Sequence, residues 1–189
     1  MAELNLTPVL IQTVAYIRNL EDKILLIHKD KDRPHDPYAD QDNGIGGSVR
    51  PHEDTLTGFM RESIEEGGLA LIREQVIFCG QVQVHNVFNG LYVQLNVFTY
   101  DNYSGPFNTR CNEGTLEWVT KERALELHRS PPDKHMLKLI LSRQIPFFGT
   151  SEKTPTGSIY DISPAGSLYA PQTKSVSIST GTFSGIREQ

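Results

Sequence analysis

Residues 47–53 read Gly-Ser-Val-Arg-Pro-His-Glu, and residues 61–69 read Arg-Glu-Ser-Ile-Glu-Glu-Gly-Gly-Leu. The residues between them, 54–66, have the marks of a helix. Asp54 is placed to cap its start, and Gly67-Gly68 is a strong stop signal. Leu56, Phe59 and Met60 follow helical spacing and would bury one face. Glu62, Glu65 and Glu66 are related as i, i+3 and i+4, so their carboxylates share a second face. Each residue turns by about 100°, which sets that acidic face well away from the apolar stripe. Glu53 sits at the junction of loop and helix and can bend back toward the same point. Arg61 is spaced to orient a neighbouring glutamate.

Carboxylates crowded on one face repel one another, at a cost of a few tenths of a kcal/mol per exposed pair. A hard divalent cation removes that penalty, and Mg²⁺ favours carboxylates together with phosphate oxygens. Such an ion can neutralise and orient a polyphosphate and activate a water. A carboxylate not committed to the ion can then accept the proton of that water. The competing reading is a solvated acidic helix face, the usual meaning of a charge cluster.

Working outward, residues 9–17 and 23–28 are apolar, β-branched runs joined by a turn at residues 19–22, and they read as two strands. Residues 29–42 are polar, contain two prolines and are too long for a simple turn; this predicts a surface loop of the kind that often carries specificity. Residues 43–49 hold three glycines and a short strand. Two further strands are expected at residues 75–84 and 91–100, with a turn at Asn89-Gly90, and a short one at 116–119. Residues 121–128 and 133–142 look like helices separated by Pro131-Pro132. This order indicates an α/β or α+β layer architecture with a mixed sheet. About half of the residues from 151 onward are Ser, Thr, Gly or Pro, which argues for loops, extended edges or disorder rather than core.

The 189 residues fit one domain with a sizeable core and an appendage. A net charge of −5 and a pI near 5.7 argue against a surface made for a nucleic-acid polymer. They do not exclude a small phosphorylated ligand held by a local ion. Cys79 and Cys111 show no zinc-like spacing. Nothing near the start looks like a signal peptide, and no apolar run approaches the roughly 20 residues that span a bilayer. The expected setting is a reducing cytoplasm.

The spacing of Gly47, Glu53, Arg61, Glu62, Glu65, Glu66 and Gly68 matches the box of the Nudix hydrolases at every fixed polar and glycine position. The chain therefore resembles that family, in its MutT-like branch. Ser63 departs from the pattern, since an apolar residue is usual there; a buried serine can bond back to a helix carbonyl. Gly58 within the helix and Ser48, where a lysine is common, are also unusual. Arg50 and Lys29 are candidates to replace that lysine at a phosphate. The resemblance implies an α/β/α sandwich around a mixed sheet over most of residues 8–163, with residues 164–189 as an added tail. It implies Mg²⁺, or Mn²⁺, bound by the main-chain carbonyl of Gly46 and by Glu62, Glu65 and Glu66, with Glu53 and Arg61 in the catalytic set. Glu113, just before Glu117-Trp118, is the candidate for a further metal ligand, with a turn residue as the alternative.

For the substrate, Asn43-Gly-Ile-Gly-Gly47 is similar to the Asn-Gly-Phe-Gly-Gly run of the animal oxidised-purine nucleoside triphosphatases. That implies Asn43 as a base-reading residue, with a turn asparagine as the alternative. Asp133 matches one aspartate of their base-recognition segment, while Ser130 and Pro132 depart from it. Trp118 is a candidate for stacking on the ligand, with a place in the core as the competing reading. Residues 84–87 lack the proline of the ADP-ribose hydrolases and the tyrosine of the dinucleoside polyphosphate hydrolases. The expected reaction is hydrolysis of a nucleoside triphosphate, such as 8-oxo-dGTP, to monophosphate and pyrophosphate. Alternatives are an ADP-ribose or other nucleoside-diphosphate-linked substrate, or a non-catalytic nucleotide sensor. The alternating run at residues 175–180 is weak support for a homodimer.

Overall fold

Among the described residues, eight strands make one mixed sheet, and three α-helices cover its two faces. The computed structural model describes residues 9–33, 36, 38–86, 90–128, 130–154 and 156–167. The strands are β1 (Val9–Asn19), β2 (Ile24–Lys29), β3 (Asp42–Asn43), β4 (Ile77–Asn86), β5 (Leu91–Tyr103), β6 (Gly114–Val119), β7 (Phe147–Thr154) and β8 (Gly157–Pro164). The helices are α1 (Thr55–Gly67), α2 (Lys121–Leu127) and α3 (Pro131–Leu141). The order across the sheet is β3-β2-β1-β5-β4-β7-β8, and β6 pairs with β2. The β1/β5 and β4/β7 pairs are parallel and the others antiparallel. This is the expected α/β/α sandwich around a mixed sheet.

Period-two alternation divides the core. Ala15 and Ile17 of β1 face α1 and pack with Leu25, Phe59 and Phe98. Val14 and Tyr16 face the other way, toward Leu26, Val97, Leu137 and Ile140. Phe59 is fully buried and stacks on Phe98 at 5.4 Å; burial of such a side chain is worth on the order of 1.5–3 kcal/mol. The β1–β2 turn closes on the Asn19 side chain, whose Oδ1 accepts from the main-chain N–H of Glu21 and Lys23.

Helix α1 begins and ends as its residues dictate. The Asp54 carboxylate accepts from the Thr57 N–H at 2.7 Å. Gly68 takes the left-handed conformation, φ 61°, and its N–H closes on the Ile64 carbonyl. Ser63 is buried and donates to the Phe59 carbonyl at 2.7 Å, so the departure from an apolar residue is absorbed within the helix. Gly58 marks a close approach: a Cβ there would lie 3.2 Å from Val49 Cγ2 and 3.3 Å from Glu53 Oε2.

One expectation about the core is corrected. The polar composition after residue 151 does not keep the chain out of it: β7 and β8 pair along their length, and Ser151 and Ile162 are buried. The reason is that these strands bury few positions, Phe147 and Ser151 in β7 and Ile162 in the edge strand β8, and the rest can be polar. Strand β8 runs one residue beyond the expected domain end, and a short 3₁₀ turn, Ala165–Ser167, follows. The tail from residue 168, with the alternating run at 175–180, lies outside the described residues, as do Asn89 of the expected turn and Val87. Among the described residues no helix is long and apolar enough to cross a membrane.

Candidate active site

The acidic face of α1 meets the loop before it through one arginine. The turn at residues 50–53 brings Glu53 back, with its N–H bonded to the Arg50 carbonyl and His52 at φ 72°. Arg61 then donates from Nε to Glu53 Oε1 (2.8 Å), from Nη1 to Glu62 Oε1 (2.7 Å) and Glu65 Oε2 (3.0 Å), and from Nη2 to the Ser48 carbonyl (2.9 Å). It orients three glutamates rather than the single neighbour expected. The Arg61 hydrogen bonds, helped by the Arg50 N–H, hold the Glu53 carboxyl down at about 2. Glu65 is the most exposed of the set and also pairs with Arg50 at 3.0 Å.

Glu66 has a different setting. It is buried, and its carboxylate accepts from the Gly46 N–H (2.9 Å) and from Lys29 Nζ (3.1 Å). Burial pushes its pKa up to about 7, against the opposing pull of Lys29 and the Gly46 amide. Lys29 also pairs with Glu113, which the loop before β6 delivers, and Arg33 stands 3.6 Å from the same carboxylate. Burial alone would lower the Lys29 ammonium; the two glutamates reverse this and raise it. Lys29 thus bridges two carboxylates.

A cleft of about 400 Å³ adjoins these groups: Lys29, Gly46, Gly47, Glu62 and Glu113 line it, and so do Tyr16, Tyr38, Asn43 and Asp133. Asn43 Nδ2 is buried and has no partner among the described residues. Burial raises Asp133 to about 6, opposed by a hydrogen bond from Ser130 and by Lys153. Burial, with Asp133 second, also raises the hydroxyls of Tyr16 and Tyr38, the latter to about 12. Tyr16 is tied to His128 Nε2 at 3.0 Å.

The fold thus brings most of the residues singled out in the sequence to one cleft or to its rim. Trp118 is the exception and is corrected: it packs on the α1 side of the sheet, stacked on Tyr103 (6.3 Å) and edge-on to Phe107 (5.7 Å), and does not line the cleft. Its place in β6 turns it into the core. Thr13, Tyr16, Arg33 and Tyr38 also line the cleft, and no motif in the sequence singles them out. Tyr16 alternates within an apolar strand and carries no separate signal. Tyr38 was more legible, as the lone tyrosine of a polar loop.

The donor chemistry suits a hard divalent ion, since Glu62 and Glu113 line the cleft and Glu66 adjoins it through Gly46 and Lys29. Glu66 and Glu113 already share one cation, the Lys29 ammonium. As placed, the carboxylates turn to Arg61 and Lys29, and among the described residues no three His, Cys, Asp or Glu side chains are grouped closely enough to hold an ion.

A family model of the NUDIX domain matches residues 10–140. The structure is similar to the mutator MutT protein of Bacillus halodurans, with a TM-score of 0.70 and 24% identity over 82% of this chain and 98% of that one. It is similar to a MutT protein of Methanosarcina mazei Go1, with a TM-score of 0.60 and 22% identity over 76% and 98%. It is also similar to the NUDIX domain of Shewanella oneidensis NrtR, solved in complex with ADP ribose, with a TM-score of 0.61 and 12% identity over 76% and 93%. The chain belongs to the NUDIX family, and it is a pyrophosphohydrolase.

Proposed function

We propose that this NUDIX family member hydrolyses a nucleoside triphosphate, with a modified purine such as 8-oxo-dGTP as the favoured base, to the monophosphate and pyrophosphate. The observation that carries this reading is the cleft. Its carboxylates, Glu62 and Glu113, suit a metal-bound polyphosphate, and its lining also offers Asn43, whose buried amide has no partner among the described residues, and the Asp133 carboxyl, a donor and an acid that suit a base. The MutT relatives agree with it in fold.

Gly46 through its carbonyl, with Glu62, Glu65, Glu66 and Glu113, would hold Mg²⁺ or Mn²⁺. Such an ion supplies neutralisation and orientation of the phosphate oxygens. The chain's own residues do the rest. Arg61 keeps Glu53 ionised and fixes the carboxylates of Glu53, Glu62 and Glu65 in direction. A carboxylate of this face takes the proton of the attacking water as the new P–O bond forms and pyrophosphate leaves with the bonding electrons. Lys29 supplies positive charge between Glu66 and Glu113, within reach of a phosphate. We place this activity in the reducing cytoplasm, where Cys79 and Cys111 stay as free thiols.

A second reading is an ADP-ribose substrate, since the NrtR domain binds that ligand on the same fold. A panel of nucleoside triphosphates and nucleoside-diphosphate derivatives, with Mg²⁺ and product analysis by ion exchange, separates the two. The triphosphate reading expects nucleoside monophosphate and pyrophosphate in equal amounts. It also expects Asn43→Ala and Asp133→Asn to raise KM for the purine triphosphate more than they lower kcat. Cleavage of ADP-ribose alone, with triphosphates untouched, overturns it.

A further inference from the structure

A second cavity, of about 670 Å³, opens between α3 and strands β4, β7 and β8. It shares Tyr38, Leu95 and Asp133 with the catalytic cleft, so the two spaces meet beside the residue that the proposed function assigns to the base. Its floor is apolar, with Val82, Val84 and Met136. Its rim carries Lys134 and Lys138 of α3 and Lys153 of β7, while Asp133 is the one acidic residue in its lining. Lys134 and Lys138 stand at i and i+4, so their like charges share one helix face and cost stability. Among the described residues no carboxylate lies within ion-pairing distance of any of the three lysines. In a chain with more acidic than basic residues, three lysines around one cavity, with no ion pair among the described residues and only the Asp133 carboxyl for Lys153 to act on, are an anion's surroundings rather than a solvated face.

We propose that this cavity receives a second phosphate-bearing arm of the substrate, attached to its nucleoside half. The preferred substrate is then a nucleotide that carries, besides the chain to be hydrolysed, a further phosphate on its sugar or a second nucleotide joined through such a phosphate. The apolar floor and the volume suit an added ring, and the lysines suit the phosphate. The inference rests on the triphosphate reading above for the orientation of the substrate.

The test compares three substrates with Mg²⁺ present: a purine nucleoside 5′-triphosphate, the same compound with a 3′-phosphate, and a 5′-triphosphorylated dinucleotide. Each is measured on the native chain and on the Lys134→Ala/Lys138→Ala double variant; neither lysine is buried, so the fold is retained. The phosphate-bearing substrates are expected to show kcat/KM about tenfold above the plain triphosphate, a preference that the double variant abolishes while the plain triphosphate is unaffected. A gain with the 3′-phosphate identifies a lone phosphate as sufficient; a gain with the dinucleotide alone identifies the second nucleotide. Equal kcat/KM for all three, or a preference that survives in the double variant, overturns the proposal and leaves triphosphate hydrolysis standing. A binding arm uses a nucleoside 3′,5′-bisphosphate in calorimetry. If no triphosphate turns over, the reading of the reaction fails, and binding of the bisphosphate that does not depend on the lysines then overturns the cavity proposal separately.

Discussion

Glu53 and Glu66 belong to one short motif, and both contact a cation of the chain. Glu53 lies against a guanidinium that gives two hydrogen bonds at the rim of the cleft, and its carboxyl is held at about 2. Glu66 lies one helix length away against an ammonium and one amide, buried at 3% exposure, and its carboxyl rises to about 7. The difference teaches that a cationic partner alone does not decide protonation. Arg61 wins at the rim because solvent still reaches Glu53 and desolvation is small; Lys29 loses in the interior because the cost of burying a carboxylate exceeds what one ammonium returns.

The largest expected effect comes from breaking the buried side. Glu66→Gln keeps the shape but removes the charge, and pyrophosphate release should fall by roughly 10²–10⁴-fold. Circular dichroism should show the fold intact. Turnover at the native rate would remove Glu66 from the chemistry.

Next is the rim. Arg61→Lys keeps a positive charge yet cannot span Glu53, Glu62, Glu65 and the Ser48 carbonyl at once. We expect a loss of roughly 10–100-fold in kcat, the scale of groups that orient ligands and catalytic carboxylates. Rates within twofold of the native enzyme would show that the charge alone suffices.

The pH dependence of stability separates the two glutamates by sign. In the metal-free protein, the Glu66 carboxyl holds its proton more tightly when folded than its ordinary value of 4.5. Its contribution is therefore full below pH 4.5 and is lost as pH rises through about 7, on the order of 1–3 kcal/mol. Glu53 behaves in the opposite way: its contribution is present above pH 4.5 and is lost as pH falls toward 2. Melting curves in EDTA should thus lose the upper slope in Glu66→Gln and the lower slope in Glu53→Gln. Identical slopes in both variants would contradict the contrast.

The smallest effect sharpens the rim geometry. Gly58→Ala gains helix propensity of about 1 kcal/mol, but the new methyl meets Val49 and the Glu53 carboxylate. Melting temperature should change little while kcat drops severalfold, because Glu53 is displaced. A stabilised variant with full activity would mean that the loop yields without moving Glu53.

Much of the fold was legible because its signals are local. The apolar runs of β1, β2, β4 and β5, the N-cap at Asp54 and the stop at Gly68 all act within a few residues. Strands β7 and β8 were less so, since their polar composition hides an alternation that burial uses only on one face. At the site, the residues of the box were legible from spacing. Tyr16 and Tyr38 were not, and Trp118 stayed open between ligand and core, because a side chain's direction depends on which strands lie beside it.

The sequence by itself determined that Glu62, Glu65 and Glu66 share a face and that Arg61 lies beside them, since 3.6 residues per turn leave no choice once residues 55–67 form a helix. That Glu66 is the buried one, that Lys29 joins it to Glu113, and that Asn43 and Asp133 line the same cleft depend on the assembled fold. Lys29 and Glu66 are 37 residues apart, and Lys29 and Glu113 are 84 apart. Pairings at such separations are set by strand register and by the packing of α1 on the sheet, and no local pattern encodes them.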